Sequence, residues 1–288
     1  MTAQILDGKS LSRRLRDQLK LRVDSLRERG IVPRIEAVVA AQDPASLAYV
    51  RMKRSWAEQA GMVSGSYEVN EDTPCDAVLE HVWKLNQDCD VHGVLVQHPL
   101  PGHIDENAVL DALDPDKDVD GITAVSMGRL MTGREGFRCA TPMGIMSLLD
   151  HHRIDCTGKH AVVIGRSVIL GKPAALMLLE KNATVTIAHS KTKDLRDLVS
   201  TADIVVAAVG RPEMVKGDWL KSGCVVVDAG YNKVEGRAHD VGDCDYASCS
   251  QVAAWITPVP GGVGPMTVTS LLENTVRAAE SRLGIALS

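Results

Sequence analysis

Aromatic side chains make up only 3% of the 288 residues, and Phe137 is the single phenylalanine. A base-stacking platform or an aromatic membrane girdle is therefore excluded, and the core has to be aliphatic. A basic excess is missing too: 32 Lys and Arg stand against 37 Asp and Glu, a formal charge of −5 with both signs scattered. Dedicated nucleic-acid or anionic-membrane binders carry the opposite balance, so neither partner is expected. The seven cysteines (75, 89, 139, 156, 224, 244 and 249) are odd in number and contain no Cys-x-x-Cys pair. A disulfide framework and a zinc ribbon are both disfavoured, and no metal site is expected. No apolar run approaches the ~18 residues of a membrane span. Met1 to Lys9 also lacks the apolar stretch of a signal peptide, so a soluble cytoplasmic chain with reduced thiols is the expectation.

What the chain does have is size and alternation. At ~150 residues per domain, 288 residues suggest two domains, and 45% hydrophobic residues supply ordinary globular cores. Leu11, Leu15, Leu19, Val23 and Leu26 recur every three or four positions up to Gly30, which marks an amphipathic helix. Strand-like runs follow at 35–41 and 91–97, separated by helical patterns at 44–60 and 73–85. Further strand-like runs at 160–164, 183–188, 203–208 and 223–228 are apolar on both faces, as in a parallel sheet covered by helices. The polar stretch 132–136 predicts a boundary, with Pro142 opening a connecting helix, and a last helical pattern runs from Met266 to Leu283.

Two stretches suit a nucleotide. Ala161 to Ile164 runs into Gly165-Arg166-Ser167-Val168-Ile169-Leu170-Gly171-Lys172-Pro173 and then a helix, the order that brings free backbone N–H groups and a positive dipole end to a pyrophosphate. The Gly-x5-Gly spacing serves an ordinary strand-to-helix turn equally well. After the next strand comes His189-Ser190-Lys191-Thr192-Lys193 where an NAD site places an acid. With Arg166 and Ser167, those hydroxyls and charges suit the 2′-phosphate of NADP, although a solvated polar loop has the same composition.

The first half carries a different chemistry. Tyr49 and Lys53, spaced i, i+4 after Asp43-Pro44-Ala45-Ser46, share one helix face, where a phenol stacks on a flat ligand and an amine presents a titratable nitrogen. An exposed lysine over a helix tyrosine gives the same spacing. Gln97 stands at the carboxyl end of a buried strand stopped by Pro99 and Pro101, where parallel sheets place ligands. Asp120 lies in the acidic turn Pro115 to Gly121, and Ile256 to Thr267 packs three prolines and three glycines before a helix.

Taken together, Asp43-Pro44-Ala45-Ser46 with Tyr49 and Lys53, Gln97 with Pro99-Leu100-Pro101, Lys117-Asp118-Val119-Asp120-Gly121, Gly165-Arg166-Ser167 with Gly171-Lys172-Pro173, and the 256–267 segment resemble one family from end to end. It is the bifunctional methylenetetrahydrofolate dehydrogenase/methenyltetrahydrofolate cyclohydrolase family. The resemblance implies a two-domain α/β enzyme: a folate-binding catalytic domain over 1–140 plus the C-terminal helix 266–288, and a Rossmann-like NADP-binding domain with a parallel sheet over 141–265. It implies catalytic roles for Lys53, Tyr49, Gln97 and Asp120. Tetrahydrofolate contacts are implied for Tyr49, Val96, Pro99, Leu100, Asp120, Pro260, Gly261, Gly262 and Val263. NADP contacts are implied for Thr141, Gly165, Arg166, Ser167, Gly171, Lys172, Pro173, His189, Ser190, Ala208, Val209, Gly210 and Thr267, with a homodimer built through that domain.

Four departures stand out. Ile122-Thr123-Ala124-Val125-Ser126 replaces the family's Phe-His-Pro-x-Asn, His98 replaces a Leu, Ala41 a Gly, and Val168 a polar residue. At the level of sequence they keep two other readings open: a paralogue with dehydrogenase activity alone or a modified pterin substrate, and a non-catalytic NADP-binding protein.

Overall fold

The computed structural model describes residues 2–42 and 44–285; Asp43 and the side chains of residues 44–46 and 48 are not among them. The expected Asp43-to-Ser46 helix opening therefore lies outside the described residues. The first elements are β1 (Gln4–Ile5), α1 (Gly8–Glu28), β2 (Arg34–Ala40), α2 (Pro44–Gln59), β3 (Val63–Val69), α3 (Cys75–Gln87) and β4 (Gly93–Val96). Then come α4 (Glu106–Ala112), α5 (Ala124–Met131), α6 (Ala140–His151), β5 (His160–Ile164), α7 (Gly171–Glu180) and β6 (Thr184–Ala188). The chain ends with α8 (Leu195–Ser200), β7 (Ile204–Ala207), β8 (Val225–Asp228), α9 (Tyr246–Cys249), β9 (Trp255–Ile256) and α10 (Val263–Ser281).

Two compact units divide the chain, one of residues 14–140 with 268–288 and one of residues 1–13 with 141–267. The first is built on a parallel three-stranded sheet in the order β3-β2-β4. Side chains alternate across a strand, and β2 uses both faces. Ala37 and Val39 pack with Leu19, Val23 and Leu26 of α1, Ala57 of α2, and Leu271, Leu272 and Val276 of α10. Val38 faces the other way, onto Val78, Val82 and Leu85 of α3 and Val109 of α4. Each such aliphatic side chain contributes ~1.5–3 kcal/mol by leaving water. Strand β3 escapes the sequence pattern because Gly65 and two serines break its apolar run. A Cβ at Gly65 would lie 2.2 Å from Glu36 Oε2, so the glycine leaves room for that carboxylate.

The second unit holds a six-stranded parallel sheet ordered β1-β9-β8-β7-β5-β6. Its central strands are buried except for half-buried His160 at the start of β5, as their apolar sequences predict. The N-terminus was expected with the folate half, yet residues 1–13 group with this sheet. Strand β1 extends its edge, Gln4 opposite Trp255 and Ile5 opposite Ile256, and Leu6 N donates to Ile256 O at 2.9 Å. Helix α10 starts at Val263, earlier than the apolar pattern suggests, because Pro265 is tolerated in a first turn that needs no backbone donor. No helix among the described residues is long and apolar enough to cross a membrane.

Candidate active site

In the first unit Lys53 of α2 reaches the end of β4, where its Nζ donates to Gln97 Oε1 at 2.8 Å. The same ammonium lies 5.2 Å from the centroid of the Tyr49 ring one turn earlier. Gln97 is oriented in turn, its Nε2 donating to His98 O at 3.2 Å and its backbone N–H to Val38 O. Asp120 completes the group electrostatically. Lys53 and Asp120 are both half-buried. Burial pushes the Lys53 amine below the ordinary lysine range, and the Asp120 charge opposes that shift. Burial likewise holds the Asp120 carboxyl above the ordinary range; Lys53 and His98 favour its ionised form, and Asp118 disfavours it. Tyr49 is pushed up by burial and then by Asp120, so it stays a neutral phenol. The arrangement presents an amine with access to its uncharged form beside an amide that orients it without adding charge.

The loop carrying Asp120 is fixed from three directions. Asp118 accepts backbone N–H bonds from Gly121, Ile122 and Thr123 at 2.9, 3.2 and 2.9 Å. Asn274 of α10 donates to Val119 O and Arg138 O at 2.8 and 3.0 Å. Gly121 sits at φ +68°, where an added Cβ would lie 2.5 Å from the Arg138 carbonyl carbon, so only glycine fits. The departing segment 122–126 has work of its own: Ile122 joins the core, and Thr123 caps α5 by accepting from Ser126 N.

In the second unit, loops leave the carboxyl ends of β5, β6 and β7 side by side. Ile164 pairs in register with Ala188 on one side and Ala207 on the other. Gly165 has φ +131° and would carry its Cβ 2.1 Å from Ala208 O, while a Cβ on Gly171 would meet Gly165 O at 2.3 Å. The glycines hold the β5 turn tightly against its neighbours and expose the start of α7, and Ser167 Oγ accepts from Gly171 N at 3.3 Å. Arg166, Ser167, Lys172, Ser190, Lys191, Lys193 and Gly210 are exposed around it. That surface of backbone donors, hydroxyls and positive charge fits a dinucleotide with an extra phosphate. Behind it, Asp243 accepts from Val209 N, Gly210 N and Arg211 N at 2.6, 3.0 and 2.9 Å.

Not every expected residue faces a ligand in this way. Val96 and Leu100 are buried in the apolar cluster beneath α3 and α4, and Pro173 is buried in α7, so they shape the site from behind. Pro99 is exposed, and His189 is half-buried, with its N–H bonded to Thr192 Oγ1 at 2.9 Å. Thr267 Oγ1 donates to Thr141 Oγ1 at 3.0 Å, which joins the two outlying cofactor candidates. Pro260, Gly261, Gly262 and Val263 form a turn of the second unit, closed by Gly262 N on Pro258 O at 2.8 Å and tied to Lys9 N through Gly261 O. Sequence reasoning missed Asp118, Asp243 and Glu106. The Asp-x-x-Gly turn signalled the first, but only tertiary folding brings the other two to their partners.

Two family models match the chain: the tetrahydrofolate dehydrogenase/cyclohydrolase catalytic domain over residues 6–120, and the corresponding NAD(P)-binding domain over residues 139–283. The bifunctional protein FolD of Alcanivorax borkumensis is 48% identical over 286 residues, 99% of this chain and 100% of that one. Its counterpart in Teredinibacter turnerae is 50% identical, covering 98% and 100%. Among solved structures, the Campylobacter jejuni bifunctional methylenetetrahydrofolate dehydrogenase/cyclohydrolase superposes with a TM-score of 0.95 at 42% identity, covering 97% of this chain and 99% of that one. The Trypanosoma brucei enzyme, complexed with NADP and an inhibitor, gives a TM-score of 0.95 at 35% identity, covering 99% and 100%. With both halves matched in order and relatives matched over their whole length, this chain belongs to the tetrahydrofolate dehydrogenase/cyclohydrolase family.

Proposed function

We propose that the protein oxidises 5,10-methylenetetrahydrofolate with NADP and hydrolyses the resulting methenyl cation to 10-formyltetrahydrofolate. The observation that carries this reading is the desolvated Lys53 amine held 2.8 Å from Gln97 and facing Asp120. Gly165, Arg166, Ser167, Gly171, Lys172, His189, Ser190 and the 208–210 turn would hold NADP, with Thr141 and Thr267 at the periphery. Bound NADP supplies the hydride acceptor. In that first step the folate nitrogen lone pair drives hydride from the methylene carbon, so no proton has to be removed. The chain's contribution is positioning: Tyr49 stacks on the ring system and Asp120 accepts hydrogen bonds from the pterin.

Hydrolysis is more demanding. As water adds to the methenyl carbon, neutral Lys53 takes one of its protons and later returns it to the ring nitrogen when the C–N bond opens. Gln97 holds the amine throughout, and the substrate's positive charge lowers the lysine further during the step. The test is a paired assay on one sample: NADPH formation from methylenetetrahydrofolate, and loss of methenyltetrahydrofolate absorbance above the buffer rate. Both activities are expected, and absence of both overturns the reading.

A homodimer through the NADP-binding unit belongs to the same proposal. Among the described residues strand β6 pairs with β5 alone, leaving a hydrogen-bonding edge beside exposed Ile187 and Leu179. A single copy would leave that edge open to uncontrolled pairing. Sedimentation of wild type against Ile187→Lys tests it, with a shift from dimer to monomer expected.

A further inference from the structure

Hydrolysis of the methenyl cation liberates a proton that the reaction does not reuse. The oxygen of water becomes the formyl oxygen, one hydrogen ends on the ring nitrogen, and the other leaves as H+. Lys53 shuttles the first, so the second needs a way out of a site whose amine and carboxyl are desolvated.

We propose that His98 and Glu106 form that exit, a proton relay from the Lys53 site to solvent; this rests on the hydrolase reading above. His98 follows Gln97 directly, at the end of β4. Its Nδ1 lies 2.5 Å from Glu106 Oε1. The other carboxylate oxygen accepts from Leu100 N at 2.9 Å, so Glu106 is aimed at the ring. Because a carboxylate only accepts, Nδ1 carries the hydrogen in the neutral ring and Nε2 keeps its lone pair. That Nε2 is buried and has no hydrogen-bond partner among the described residues. That lone pair is the acceptor for a proton arriving by way of a site water. The groups acting on the ring come from two elements: Glu106 of α4, and Asp120, which in turn feels Lys53 of α2 and Asp118. The side chains of His98 and Glu106 are 20% and 33% exposed, so exposure increases outward along the route. The proton is taken at Nε2, giving an imidazolium paired with the Glu106 carboxylate. The Nδ1 proton then passes through Glu106 to water at the partly exposed edge of the pair, leaving the Nε2–H tautomer, and water-assisted tautomer exchange returns the hydrogen to Nδ1 for the next turnover.

Hydride transfer liberates no proton, so the relay serves only one of the two activities. The experiment compares wild type, His98→Gln, Glu106→Gln and Glu106→Asp as full-length proteins, assaying both reactions in dilute buffer and with added imidazole. Glutamine keeps polarity but carries no proton. His98→Gln is expected to lower the hydrolase-to-dehydrogenase ratio about tenfold, a modest share of the 10²–10⁴ typical of acid–base groups. Added imidazole should restore it, Glu106→Gln should follow the same direction, and Glu106→Asp should fall between. An unchanged ratio, or a parallel loss of both activities without imidazole rescue, overturns the relay. Absence of both activities in wild type overturns instead the functional reading, and is seen before any variant is compared.

Discussion

Replacing Lys53 by Met removes the amine bonded to Gln97 and leaves the volume nearly unchanged. Folding should tolerate it: a desolvated cation gives way to an apolar chain, and Gln97 keeps its bond to His98 O. The chemistry should not. Loss of a positioned acid–base group costs ~10²–10⁴ in rate, or ~3–5.5 kcal/mol of transition-state stabilisation. Asp120 also loses the cation that most favours its ionised form, so its carboxyl rises further and the folate KM increases as pH falls. Lys53→Arg separates the two effects, because a guanidinium keeps the charge but cannot become neutral. The assay follows methenyltetrahydrofolate absorbance and NADPH formation in both variants across pH 6–9. Hydrolysis should collapse in both, whereas hydride transfer should survive in part, with its KM less disturbed in the Arg variant. Hydrolysis within about twofold of wild type in Lys53→Met would refute the assignment of the proton to this amine.

Gly171→Ala would drive a Cβ to 2.3 Å from Gly165 O, so the loop must move; NADP affinity measured by fluorescence titration should fall at least tenfold, and an unchanged value would contradict the strapped turn. NADP should bind more tightly than NAD, and equal affinities would remove Arg166, Ser167 and Ser190 from phosphate recognition. Asn274→Ala strips hydrogen bonds from two carbonyls around the Asp120 loop and should cost ~2–4 kcal/mol in denaturant unfolding while raising the folate KM; a loss of stability alone would separate the brace from the site. Asp228 is raised to about 6 by burial despite backbone N–H bonds from Gly230, Asp243 and Cys244. Its contribution is complete only well below the unfolded value of 3.8 and is lost as pH rises through 6, so the stability of wild type relative to Asp228→Asn should fall by ~2.5 kcal/mol between pH 4 and 7, as denaturation curves would record.

The parallel sheets were readable because both faces of each central strand are buried, which forces continuous runs such as Val162 to Ile164. Strand β3 was not, because half-exposed strands admit the Ser and Gly that mark loops elsewhere. Tyr49 and Lys53 declare their adjacency through helical spacing, whereas nothing in the spacing of Gln97 says that α2 lies across the end of β4. The braces were least visible: Asp118 has a local turn signature, but Asn274 is one of several polar residues in α10 until its 155-residue reach to Val119 is known. His98 first appears only as a departure from a pattern, and Glu106 gives it meaning.

Neither unit is a single stretch of chain. Residues 14–140 lack part of their core until Leu271, Leu272 and Val276 arrive, and the first strand made waits for β9. During synthesis, which runs at ~5–20 residues per second, the catalytic half emerges first yet is completed last. For roughly the time needed to make half the chain, its three-stranded sheet has one flank uncovered. A released chain ending near residue 260 would therefore carry every strand of the second unit while the first still lacked the flank that α10 covers. Gene fragments cut at the apparent midpoint inherit the same defect permanently.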